Sequence, residues 1–414
     1  MDSIFQINPV NYPFHSPTPG SITLIAGKPN INTEGLDSDF CKELSNCGFN
    51  SVAAIISASY IQDTLDACYK NGLSLFLSNA NITLYTQSFI NKYKDSKGLG
   101  GWVLDFNLAA NDAQLWKEDA AINKEIMDKY DGKNPVFIGL TGDWNLDKGN
   151  NIIPSFTSYI ADFQQSFNPS FWPYFYFPDL EPEQYSGDTE EIIENRILMY
   201  YKSLQYFAYI SRYTCAPFWV SIRCQGVNNY DGLKGEKPTL NSLRGQAFTA
   251  LAYGAQGIYY WNYRQSWNTG HTTFGNAPLT RDGIKTDVWS LIQTVNNEIK
   301  KFNFVFYGCE VLECRHLRLK KEKHLKLMQH AIGPLECISG LPQNLLISML
   351  YNNGRKYIVI ISDPFAKARQ IITVNFSKYW SVSVVLSNIL VKTLPDSKET
   401  ITLEPGGYRI YTWE

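Results

Sequence analysis

The chain has 414 residues, a formal net charge of -2 and a pI near 6.3. That length suits one large domain with a small partner, and that charge excludes the basic footprint of a nucleic-acid or membrane-surface binder. Aromatic residues reach 14%, with 26 Tyr, 23 Phe and 10 Trp, and such rings either fill a large core or stack on sugars, whose C–H faces and hydroxyls they match. No apolar run of about 18 residues exists, so no membrane-spanning helix is expected.

The eight cysteines (41, 47, 68, 215, 224, 309, 314 and 337) form no CxxC pair and have no His at zinc spacing. They read as reduced core residues, and neither a metal nor a cofactor is expected. The start, MDSIFQINPV, lacks the basic and apolar regions of a secretory signal, so a cytoplasmic location is expected unless a leader was trimmed.

Residues 1–20, rich in Pro, Asn and Ser, read as a lead-in segment. Beyond them, apolar runs of strand length alternate with stretches of helical periodicity. Strands are expected at 22–26, 51–56, 73–77, 101–104, 135–140, 172–177, 218–222 and 257–261. Helices are expected at 36–47, ended by Gly48, and at 59–71, capped by Ser59 and stopped at Gly72. Further helices are expected near 84–95, at 112–129 with Asp112 as cap, near 155–166, at 189–211, in the first half of 244–263, and at 286–302. Eight strand-then-helix units over roughly 280 residues match a (β/α)8 barrel. A doubly wound sheet is the other architecture this alternation allows, but no GxGxxG follows any strand.

The stretch RGQAFTALAYGAQGIYYWNY, residues 244–263, concentrates the barrel signal. A helix is punctuated by Gly254 and feeds a short apolar strand, the pattern of a strand buried on both faces. Trp261, Asn262, Tyr263 and Arg264 then stand at the strand's C-terminal end, where barrels carry function.

After residue 302 the texture changes. RHLRLKKEKHLK, residues 315–326, reads as a solvated strand or linker face. From 344 onward LLISMLYN, KYIVIISD, ARQIITVNF, WSVSVVLS and ETITLEPGGYRIYTWE read as short strands separated by Asn-Gly and Pro-Gly-Gly turns, which predicts a small antiparallel β-sandwich. The expected division is 1–20 lead-in, 21–305 barrel and 306–414 sandwich.

PFWVSIRCQG, RGQAFTALAYGAQGIYYWNY and FGNAPLTRDGIKTDVWSLIQTVNNEIK, together with GWVLDFN, WPYFYFPD and the terminal EPGGYRIY, resemble bacterial, Bacteroides-type glycoside hydrolase-like barrel proteins related to β-galactosidase-type barrels. The resemblance implies an α/β fold, a (β/α)8 TIM barrel with a small C-terminal antiparallel β-sandwich, and a carbohydrate as partner. Glycoside hydrolysis needs two carboxyl groups, about 5 Å apart for retention and about 6.5 to 9.5 Å apart for inversion. In such relatives the fourth strand resembles an Arg-Asp-Glu-Pro ending whose Glu is the general acid. Aligned on Gly101 and Leu104, that position here is Asn107, which has no carboxyl proton to give. An Asp-aromatic-Tyr-Pro pattern after the sixth strand reads Phe175, Tyr176, Phe177, Pro178. The seventh strand, where a retaining enzyme carries its nucleophile, ends in Arg223, Cys224, Gln225 and Gly226.

Asp105 with Asp179 or Glu181 would make a displaced acid and base pair if the fourth and sixth loops face each other; otherwise Asp105 caps a loop and DLEPE is solvated. Binding candidates are the amides and cation of Asn79, Asn107, Arg223, Gln225 and Asn262, and the rings of Tyr176, Trp261 and Tyr263, with Trp144 and Trp267 further along their loops. Three functions stay open: a sugar binder that has lost its acid, an active glycosidase using displaced carboxylates, and an assembly subunit. The sugar, its linkage and the oligomeric state are not legible.

Overall fold

The computed structural model describes residues 20–29, 34–79, 85–109, 121–141, 160–178 except 162 and 166, 181–182, 189–230, 233–235, 237–268, 273–317, 330–340, 344–366, 368–388 and 390–414. Its barrel strands are Thr23–Gly27 (β1), Ser51–Ile56 (β2), Ser74–Asn79 (β3), Leu99–Ala109 (β4), Val136–Thr141 (β5), Trp172–Phe175 (β6), Phe218–Arg223 (β8) and Gly257–Trp261 (β11). Glu181–Pro182 (β7), Gly226–Tyr230 (β9) and Leu233–Gly235 (β10) lie in the loops between them. The barrel closes in the order β1-β11-β8-β6-β5-β4-β3-β2, with every neighbouring pair parallel.

Helices Ser38–Asn46 (α1), Ile61–Lys70 (α2), Gln87–Tyr93 (α3), Ala121–Tyr130 (α4), Thr189–Thr214 (α5), Leu240–Ala252 (α6) and Asp287–Lys301 (α7) alternate with the strands. Their starts follow capping chemistry. Asp37 accepts from the Phe40 amide at 2.8 Å ahead of α1, and Thr239 and Ser242 form a reciprocal capping box on α6. Ser59 is not a cap: a 3₁₀ turn over Ala58–Tyr60 takes up the entry, and α2 begins at Ile61. The helix expected at 112–129 is seen from residue 121, and its expected cap, Asp112, lies outside the described residues, as do residues 1–19. Among the described residues, no helix is long and apolar enough to cross a membrane.

Strand alternation sorts the side chains into two cores. Ile25, Ala53, Phe76, Val103, Phe137, Phe175, Trp219 and Tyr259 pack with Phe171 inside the barrel, so the interior is filled and not a pore. Trp219 stacks on Phe171 at 4.0 Å and meets Phe76 edge-on at 5.3 Å. Such crowding requires bare backbone nearby: a Cβ on Gly257 would lie 2.5 Å from Trp219 Cγ, and Gly27 leaves room for the Tyr259 ring. The alternate residues, Leu24, Ala54, Leu75, Val220 and Ile258 among them, face the helices.

After the short helix Asn303–Phe306 (α8) the chain builds two antiparallel sheets. Counting Thr273–Gly275 as β12, their strands are Glu310–Leu317 (β13), Leu335–Gly340 (β14), Leu345–Asn352 (β15), Arg355–Ser362 (β16), Gln370–Phe376 (β17), Val382–Val385 (β18), Val391–Thr393 (β19), Lys398–Leu403 (β20) and Tyr408–Trp413 (β21). The six-stranded sheet runs β13-β15-β16-β21-β18-β19 and the three-stranded one β14-β17-β20. Between them Ile347, Ile358, Ile360, Ile372 and Val374 make the sandwich core.

The opposite face of the larger sheet is also apolar. Leu346, Leu350, Val359, Ile361 and Ile410 join Leu243, Phe248 and Leu251 of α6 in one buried cluster. Phe248 stacks on Tyr408 at 3.8 Å, and the Ser348 hydroxyl donates to the Ala252 carbonyl at 2.7 Å. Arg315 to Leu317 of the basic run close β13, so that part of the run is strand, while 318–326 lie outside the described residues.

Candidate functional site

Because all eight barrel strands are parallel, their C-terminal ends open on one side. Above β6, β8 and β11 the loops pair into a four-stranded sheet in the order β12-β9-β10-β7, which walls part of this mouth. Trp261, the last residue of β11, stacks on Phe177 at 4.8 Å and 29°, and meets Phe274 of β12 edge-on at 6.2 Å. Since β8 runs between β6 and β11, its last residue, Arg223, lies between the strands that carry these two rings.

The polar groups around this aromatic pair are tightly held. Arg223 is buried and its Nη1 donates to the Gln225 carbonyl at 2.5 Å. Gln225 donates through Nε2 to Ser266 Oγ and accepts from the Ser266 amide, both at 3.2 Å. Asn262 Nδ2 donates to the same Ser266 Oγ at 2.9 Å. These bonds fix the loop after β11 against the end of β8. The Cys224 thiol donates to the Asn262 carbonyl at 3.2 Å, and burial pushes its pKa well up, so it stays a neutral donor and no nucleophile.

Three buried polar atoms in this neighbourhood have no protein hydrogen-bond partner: Asn262 Oδ1, the Tyr259 hydroxyl and Ser221 Oγ. Tyr259 and Ser221 are cross-strand partners in register, one step down the barrel from Trp261 and Arg223. Burial holds the Tyr259 hydroxyl far above its ordinary range, which keeps it a donor at neutral pH. Buried polar atoms are normally paired, so each of these three needs a partner, as do others elsewhere in the barrel such as Ser51 Oγ, Gln246 Oε1 and Thr249 Oγ1.

The other sequence-derived candidates are placed as follows. Tyr176 and Tyr263 are buried away from the mouth, which corrects their expected stacking role. Tyr176 has the opposite strand parity to Phe175 and Phe177, so it turns outward onto Tyr200 of α5 and donates to the Arg196 carbonyl at 3.3 Å. Tyr263 folds back between Phe40 and Phe49, its hydroxyl donating to Glu43 Oε1 at 3.5 Å. For Asn79, Asp105, Asn107 and Glu181 the structure gives backbone positions: Asn79 ends β3 opposite Ile56, Asp105 pairs with Ile138 inside β4, Asn107 follows two residues on, and Glu181 opens β7 opposite Lys234. Asp179 lies outside the described residues. Among the described residues, no group of three His, Cys, Asp or Glu could hold a metal ion.

Phe177, Tyr259, Ser221, Ser266 and Phe274 were not singled out as binding residues by sequence. The period-two rule carried from Trp261 back to Tyr259, or from Arg223 back to Ser221, would have found two of them; Ser266 and Phe274 required the loop pairings.

No protein-family model matches the chain, and no curated protein matches it significantly. Solved structures match by fold. A catalytic mutant of Gan42B, a GH42 β-galactosidase from G. stearothermophilus, aligns with TM-score 0.57 and 8% identity over 95% of this chain and 98% of that one. A cold-adapted β-galactosidase from Rahnella sp. R3 aligns with TM-score 0.54 and 8% identity, over 97% and 100%. AmyP in complex with maltose aligns with TM-score 0.52 and 10% identity, over 94% and 96%. Against β-galactosidases from Marinomonas ef1 and Halorubrum lacusprofundi the chain spans only 60% and 59% of their lengths. What these alignments share with the chain is its fold, a closed barrel of eight parallel strands followed by antiparallel sheets.

Proposed function

We propose that this chain is a glycoside hydrolase-like carbohydrate-binding protein that takes a sugar at the C-terminal mouth of its barrel, with Asn107 in the position of the general acid. The observation that carries this reading is the Trp261–Phe177 pair at the mouth, with Asn262 Oδ1 next to it in the chain and Tyr259 OH and Ser221 Oγ in the register layer beneath it, three buried polar atoms without protein partners. A pyranose needs both an aromatic face and directed hydrogen bonds, and this neighbourhood offers them together. Arg223 and Gln225 border it, and Asn79, the last residue of β3, and Asn107, near the end of β4, are the further binding candidates. The barrel of this proposal is residues 21–305 and the sandwich 306–414, and an origin in a Bacteroides-type bacterium belongs to it through the sequence resemblance.

A second reading, an active glycosidase using Asp105 with Asp179 or Glu181, is favoured by the position of Glu181 in the sheet over the mouth. Isothermal titration with galactose, glucose, lactose, maltose and maltotriose, run beside a turnover screen on aryl glycosides, separates the two. Saturable binding without turnover is the expected result. Turnover abolished by Asp105→Asn or Glu181→Gln would select the second reading, and absence of both binding and turnover would reject both.

A further inference from the structure

We infer that Trp267 is an outer stacking platform of the mouth, so that the ligand is an oligosaccharide of at least two rings; this rests on the sugar-binding reading above. Trp267 lies in the loop that follows β11, six residues past Trp261, and is 60% exposed, whereas Trp102, Trp172 and Trp219 are fully buried. A large apolar ring left in water gains nothing for the fold, and one without support would sample many rotamers.

This ring is supported. The Arg281 guanidinium lies over it, 5.1 Å from the ring centroid. Arg281 is itself held twice, Nε donating to the Ser266 carbonyl at 3.2 Å and Nη2 to Asn268 Oδ1 at 2.6 Å. Asn268 Oδ1 also accepts from the Phe274 amide at 3.0 Å, which ties the same loop to the sheet over the mouth. Ser266 is the residue that Gln225 and Asn262 grip, so a continuous hydrogen-bonded path runs from the end of β8 to the guanidinium that backs the ring. The cation backs one face of the ring, and the exposed remainder is pre-organised for stacking, with its ordering cost met before any ligand arrives. Two of the guanidinium's three nitrogens are already engaged, by the Ser266 carbonyl and Asn268 Oδ1, which holds the cation in place behind the ring.

The test is isothermal titration of the full chain and three variants with galactose and glucose against lactose, maltose and maltotriose. Wild type should bind a disaccharide at least about tenfold more tightly than its monosaccharide, the scale of one added ring contact. Trp267→Ala should erase that advantage by weakening the disaccharide at least about tenfold more than the monosaccharide, Trp267→Phe should keep most of it, and Arg281→Gln should lose about threefold. Thermal midpoints should agree within about 2 °C, since the ring is exposed. Disaccharide affinity unchanged in Trp267→Ala overturns the inference while sugar binding stands, and so does an equal loss for one ring and two. Wild type that binds none of these sugars overturns both.

Discussion

Replacing Trp261 by Ala removes one half of the stack with Phe177 and the apolar wall beside Arg223. On the proposed sugar-binding reading, affinity measured by titration calorimetry is expected to fall at least about tenfold, and an unchanged affinity would remove the ring from the proposed site. A second residue-scale expectation concerns His316, buried where the sandwich meets the barrel. Its Nδ1 donates to Asn344 Oδ1 at 3.2 Å and its Nε2 accepts from the Tyr253 hydroxyl at 2.8 Å, while Asn344 Nδ2 donates to Asp363 at 2.9 Å.

Burial pulls His316 down to about 4 from an ordinary 6.5. Between those values the unfolded chain takes a proton that the folded chain refuses, so stability falls as pH drops through 6.5 and levels off below about 4, by on the order of 3 kcal/mol. Asp363 opposes this, because burial raises its pKa and the folded state binds that proton more readily than the unfolded one. His316→Gln should therefore flatten or reverse the acid limb in urea unfolding at pH 7 and pH 4.5. An acid limb of the same depth in the variant would show that His316 does not set it.

At the scale of elements, β11 shows why some boundaries are readable. A strand buried on both faces must be apolar throughout, so the run 257–261 is visible as a strand in the sequence and as one in the fold. Gly257 begins it because Trp219 occupies the space a side chain would need. Gly257→Ala is expected to cost about 1–3 kcal/mol by overpacking, read as a lower midpoint in chemical unfolding, and a neutral result would mean the barrel floor is looser than the Trp219–Phe171 stack implies. The end of β4 was less legible. Register shifts on either side of Asp105 let the strand continue to Ala109, and bulges interrupt the alternation that reveals a strand. The sheet over the mouth was missed because β7, β10 and β12 are two or three residues long, too short for any periodicity.

For the molecule as a whole, barrel and sandwich share one apolar cluster across α6 and the larger sheet. The same strand alternation that fills the sandwich also gives that sheet a second buried face, so neither part has a wholly polar exterior of its own. A fragment of residues 21–305 is expected to aggregate or unfold without cooperativity, since Leu243, Phe248 and Leu251 would lose the cover of the sandwich strands and Tyr408. A soluble fragment with a sharp thermal transition would refute that dependence.

Local pattern alone determined the strand and helix alternation, hence the barrel, and the period-two strands of the sandwich, because burial on a face imposes its period on the nearby sequence. It also placed Arg223, Gln225, Trp261 and Asn262 at or just beyond the ends of two strands. Only the tertiary structure decided that Tyr176 and Tyr263 are core, that Ser266 joins Gln225 to Asn262, and that Phe177 reaches Trp261 past the strand between them. Apart from the Asn262–Ser266 bond, those contacts link residues far apart along the chain, and a residue's own neighbours in sequence carry no record of which distant side chain it will meet.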